Sequence, residues 1–76
     1  MKILILGFSK SGRASYELLK DNNQVYIYDK KKLKVDNYYS FTKLKKELPF
    51  FDLVIRSPGI KQTSKVYQLA LILSKK

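Results

Sequence analysis

The chain has 76 residues, 45% of them hydrophobic, with no cysteine, no histidine and a formal charge of +10 at pH 7. That leaves room for one small domain and argues against disorder, while disulfides, a thiolate zinc site and the usual acid–base catalyst are excluded. No apolar run approaches the roughly 20 residues that cross a bilayer, and Met1-Lys2-Ile3 opens no signal-peptide pattern, so a cytoplasmic location is the expectation.

Lys2 to Leu6 reads as a fully buried strand, because a continuous Ile/Leu run suits a parallel sheet covered on both faces. A helix opens at Ser11 or Gly12 and runs to about Lys20, with Ala14, Leu18 and Leu19 as its expected inner face and Asp21-Asn22-Asn23 as its stop. Gln24 to Tyr28 is a second strand, Val25 and Ile27 on one face, Tyr26 and Tyr28 on the other. Lys30 to Asn37 is irregular, and Tyr38-Tyr39 forms at most a short strand.

Ser40 is placed to cap a helix through Leu48, with Phe41, Leu44 and Leu48 at three- and four-residue spacing, and Pro49 cannot extend it with a donor. Asp52 to Ile55 is the next strand, followed by Arg56 and the turn Ser57-Pro58-Gly59. A last helix begins near Thr63 or Ser64, where Val66, Leu69, Ala70 and Leu73 line one face. Alternating strands and helices predict an α/β fold with an open parallel sheet of three to four strands and helices on both faces. Such sheets usually carry more strands, so the expectation is a domain truncated from something longer.

Three motifs lie at carboxyl ends of strands, where ligands of open α/β sheets bind. Gly7-Phe8-Ser9-Lys10-Ser11-Gly12 joins the first strand to the first helix, and a helix start offers unpaired N–H groups and positive dipole to a phosphate. Gly7 supplies the sharp turn and Gly12 close helix–sheet packing. Ser9 stands where the dinucleotide fingerprint has its second glycine, which argues against the standard NAD pose. A turn that needs glycines and binds nothing accounts for this motif equally well.

Asp29 ends the second strand seventeen residues after Gly12, close to the spacing of a ribose-binding acid. It can accept from ribose hydroxyls or a base N–H, or it can simply start a turn. Lys30 and Lys31 follow it. In Ser57-Pro58-Gly59, proline fixes one torsion and glycine allows a positive φ, giving a tight turn at the third strand end.

Fourteen of the sixteen basic residues are Lys, and they are spread over nearly every element. That pattern favours a solvated surface over a nucleic-acid stripe, since Arg is the residue that clamps phosphates and reads bases.

Ile-Leu-Gly-Phe-Ser-Lys-Ser-Gly-Arg-Ala, Val-Tyr-Ile-Tyr-Asp and Asp-Leu-Val-Ile-Arg-Ser-Pro-Gly-Ile together resemble the N-terminal domain of the UDP-N-acetylmuramoyl-L-alanine:D-glutamate ligase family of peptidoglycan biosynthesis. The resemblance runs from Lys2 to about Lys76, and its most specific element is Ser-Pro-Gly-Ile. The family's first turn commonly has glycine where Ser9 stands, and Lys30 and Lys31 replace a small polar residue and an arginine. The resemblance implies a Rossmann-like domain at the start of a three-domain enzyme that adds D-glutamate to the UDP-linked substrate.

By the same resemblance, Lys10 and Ser11 would meet the diphosphate and Asp29 and Lys30 would address the uracil edge. Lys31 would lie against the ring, and Ser57, Pro58 and Gly59 would line the uridine pocket. ATP and magnesium are implied for the complete enzyme, in its central domain. The 76 residues carry no Gly-x-x-x-x-Gly-Lys-Ser/Thr loop, and no catalytic residue, metal ligand or cofactor is assigned to them. The expected partners are the UDP-linked sugar-peptide and the other two domains, with no membrane. Two other readings stand beside this one: an NAD(P)- or adenine-nucleotide-binding regulatory domain, and a small basic nucleic-acid-binding protein.

Overall fold

The computed structural model describes residues 1–74. Strand β1 (Lys2–Leu6) is central in a parallel sheet of order β2-β1-β3, with β2 (Gln24–Tyr28) and β3 (Leu53–Arg56) on its two sides. Ile3 lies opposite Val25 and Leu53, and Ile5 opposite Ile27 and Ile55, so the three carboxyl ends finish level. This is a small open α/β sheet with three helices, consistent with a Rossmann-like arrangement. The central strand reads as a continuous apolar run because it is covered on both faces; Ile3, Leu4, Ile5 and Leu6 are all buried.

One face packs Ile3, Ile5 and Val25 against Tyr16 and Leu19 of helix α1 (Lys10–Leu19). The other sets Leu4, Leu6 and Phe51 against Leu44 of α2 (Phe41–Glu47) and Val66, Ala70 and Leu73 of α3 (Lys65–Leu73). Each large side chain withdrawn from water in this way contributes about 1.5–3 kcal/mol. Ser40 and Ser64 cap α2 and α3, accepting from Lys43 N and Tyr67 N respectively.

Two expectations are corrected. The inner face of α1 is Gly12, Tyr16 and Leu19, whereas Ala14 is exposed and Leu18 is 81% exposed. The helix turns its glycine to the sheet, and that contact fixes which residues follow inward at four and seven positions. Tyr38-Tyr39 adds no strand. Ile27 donates to Asn37 O and accepts from Tyr39 N, giving one parallel bridge, and then the Asn37 side-chain amide takes Val25 O at 2.6 Å. That carbonyl is the one a longer ladder would use.

Candidate functional site

The first turn is held by backbone geometry and by Asp29. Gly7 has φ of +92°, a left-handed value that a side chain strains, and its N–H donates to Tyr28 O at 2.7 Å. The next amide, Phe8 N, donates to Asp29 Oδ2 at 2.8 Å, while Lys31 N donates to Oδ1 at 3.0 Å. Asp29 is therefore a latch between the first and second strand ends. Each of its oxygens already accepts one bond, with further lone pairs free for a ligand.

Behind that turn α1 starts without compensation. Its N-cap Ser9 makes no side-chain cap bond, and the first helical bond runs from Arg13 N to Ser9 O. The amides of Lys10, Ser11 and Gly12 precede that bond and have no intrahelical acceptor. No acid lies in the first turn, where Lys10 adds positive charge to the positive end of the dipole. That combination disfavours the helix alone and favours an anion beside it.

The third turn is tied to the first. Ser57 is buried, and its hydroxyl donates to Gly7 O at 2.8 Å. Ile60 N donates back to Ser57 O at 3.0 Å, and Arg56 Nη1 braces the same turn by donating to Ile60 O at 2.6 Å. Gly59 does not use a positive φ, contrary to the expectation for Pro-Gly. The turn closes on ordinary backbone torsions, and what glycine provides there is an absent side chain.

A small cleft of about 150 Å³ gathers residues from all three turns: Gly7 and Ser9, Asp29 and Lys30, Ser57 and Gly59. Six of the eleven candidate residues thus share one wall. Gly12 is buried beneath the cleft, packed on Gly7, while Lys10, Ser11, Lys31 and Pro58 are exposed and do not line it. No family model, curated protein or solved structure matches this chain.

Sequence reasoning missed a larger groove next to the cleft, of about 380 Å³, which shares Lys30, Gly59 and Ile60 with it. Its other walls include Tyr28, Phe41, Lys61 and Lys65, drawn from three separate segments. Lys30, Lys61 and Lys65 line the two compartments together with a single carboxylate, Asp29. The one ion pair among the described residues is remote, Lys20 with Glu17 at 2.9 Å. Three cations against one carboxylate favour anionic ligands here.

The Tyr28 phenol is pushed above its ordinary value, first by burial, then by the neighbouring Tyr38 and Asp29. Burial likewise raises Tyr39, with Glu47 adding to it. The folded protein therefore holds both protons more tightly than the unfolded chain. Stability from this source is complete below about pH 10, the ordinary tyrosine value, and falls as pH rises through the folded values. Urea titrations at about pH 9 and about pH 11 should show the parent losing more stability than Tyr28→Phe, with the lysines common to both. Equal losses would remove the argument.

Proposed function

We propose that this chain binds the UDP part of a UDP-linked sugar-peptide, as the N-terminal domain of an ATP-dependent, amide-forming ligase of peptidoglycan biosynthesis. The observation that carries this reading is the convergence of three strand-end turns on one cleft, with Asp29 and Lys30 among its lining residues. The diphosphate lies against the uncompensated start of α1, where Ser9 has a free hydroxyl and Lys10 and Ser11 have unpaired amides. Asp29 offers acceptor lone pairs to a ribose hydroxyl or a base N–H. The motif resemblance supplies the ligase and its Rossmann-like N-terminal domain.

In this reading the 76 residues bind and orient, and the chemistry belongs to the rest of the enzyme. The complete reaction uses ATP and magnesium to activate a carboxylate for attack by an amine. Those groups are held in the central domain, and the amine substrate in the C-terminal one. The diphosphate charge is met here by lysines and backbone amides, and the turn latched by Asp29 fixes its direction.

An amide chemical-shift titration with UDP, ADP and NAD at physiological salt tests the proposal. UDP is expected to shift Gly7 to Gly12, Asp29 and Ser57 to Gly59, and to do so at lower concentration than ADP or NAD. A preference for the adenine nucleotides would replace this reading with a cofactor-binding regulatory domain. A response to single-stranded nucleic acid that collapses steeply with salt, with none to UDP, would replace it with a polyanion binder.

A further inference from the structure

The two edges of the sheet are finished differently. Beyond β2 the chain covers its own edge, because Ile27 bonds to Asn37 and Tyr39 and the Asn37 amide takes Val25 O. On the other side β3 has β1 as its one strand partner, and Leu53 is 40% exposed. Edge strands that resist further pairing carry lysine, proline or a bulge. β3 reads Leu-Val-Ile-Arg and pairs with β1 without a break, so it has none of these.

The ladder decides which backbone groups are open. Ser57 N donates to Leu6 O, and the sides alternate along a strand, so Leu53 and Ile55 also bond toward β1. Val54 and Arg56 therefore turn their N–H and C=O outward, and neither backbone makes a hydrogen bond outside the ladder among the described residues. The same stretch is self-complementary in charge, running acid, Leu, Val, Ile, base from Asp52 to Arg56. A second copy laid antiparallel about Val54 sets the two Val54 residues opposite one another, each donating to the other. Asp52 then lies opposite Arg56 of the second copy at both ends of the pair, and Leu53 lies opposite Ile55. Sliding the register by two residues breaks both charge pairs.

We propose that β3 is a homodimer edge, pairing antiparallel with β3 of a second copy about a two-fold axis at Val54. The patch is isologous, the same residues serving both chains. Arg56 gives one N–H to Ile60 O and keeps others, while Asp52 accepts from Lys2 N at Oδ2 and keeps Oδ1. Pairing joins the two three-stranded sheets into one and sets the two strand-end clefts at opposite margins. It does not depend on the nucleotide reading. Chains of formal charge +10 repel at long range, but the Debye length is about 8 Å at physiological salt, so contacts across the edge decide. So short a strand makes a weak dimer, with a dissociation constant expected between about 10 μM and about 1 mM.

Sedimentation equilibrium of the 76-residue chain at physiological salt, up to about 2 mM, tests the proposal across that range. Asp52→Arg and Arg56→Asp each set like charges opposite one another and are expected to weaken self-association about tenfold or more. An equimolar mixture of the two variants restores both opposite-charge pairs and is expected to dimerise like the parent. Val54→Pro removes the central outward N–H at an edge position that tolerates proline. It should be monomeric with the circular dichroism of the parent. Hydrogen exchange at Val54 needs no variant and should slow as the parent concentration rises. A parent that stays monomeric overturns the proposal, as does a dimer that survives in folded Val54→Pro. A mixture of folded charge variants that fails to associate overturns it too.

Discussion

Gly12→Ala is expected to cost about 3 kcal/mol or more, the upper end of overpacking in a close-packed interior. The new Cβ would lie 2.0 Å from the Gly7 carbonyl oxygen, 3.1 Å from its carbon and 3.2 Å from Ser57 Oγ. The obstruction is backbone, so no side chain can swing aside to relieve it. Relief requires α1 to lift off the end of β1, and that movement strains the Ser57–Gly7 hydrogen bond, whose buried members have nothing else to pair with. A domain this small has only a few kcal/mol in reserve, so the variant should be largely unfolded near 37 °C. Urea unfolding followed by circular dichroism measures it. Gly59→Ala is the control, expected to match or exceed the parent. A Gly12→Ala midpoint within error of the parent would show that α1 does not rest on Gly7 as described.

The same contact explains where the sequence misled. Ala14, Leu18 and Leu19 form a plausible apolar stripe, yet Leu18 faces solvent. Periodicity ranks residues by hydrophobicity, whereas a helix that must approach a sheet closely turns its smallest residue inward. Gly12 was the better guide to the face, with Tyr16 and Leu19 following from it. The bounds of β1 and β2 were legible because each is a run of apolar β-formers ended by a turn residue. Tyr38-Tyr39 was not, since its pairing stops on a side-chain bond from Asn37, which no propensity records.

The small cleft was readable for a local reason: each of its walls is the turn at the end of a predicted strand, and a parallel sheet brings such ends to one edge. The larger groove has no local signature. Tyr28, Phe41 and Lys65 meet only because α2 and α3 pack on the same face of the sheet. The amphipathic patterns gave the two helices but not their shared side. The spacing of Asp29 points to a ligand contact. The bond from Phe8 N shows that it also fixes the turn in which that ligand would sit.

That double duty sets the result expected for Asp29→Ala. Two amides, Phe8 and Lys31, lose a charged acceptor together. Bonds to charged groups contribute about 1.5–3 kcal/mol each when well buried, but this site is part-exposed and water recovers some of the loss, so a total of about 1–3 kcal/mol is expected. The larger consequence is local. With Phe8 N released, the hydrogen bonds of Gly7 N to Tyr28 O and Ser57 Oγ to Gly7 O remain, and the Phe8 ring still packs on Tyr16 and Arg13. The link from the first turn to the second strand end is lost. UDP-induced shifts across Gly7 to Gly12 should vanish in a protein that remains folded, and hydrogen exchange at Phe8 and Lys31 should accelerate. Asp29→Asn keeps an acceptor oxygen for one of the two amides and should fall between parent and alanine variant in both measurements. If Phe8 exchange is unchanged in Asp29→Ala while UDP binding is lost, Asp29 acts on the ligand directly and the latch has no part in binding. If both are unchanged, the nucleotide does not use this cleft.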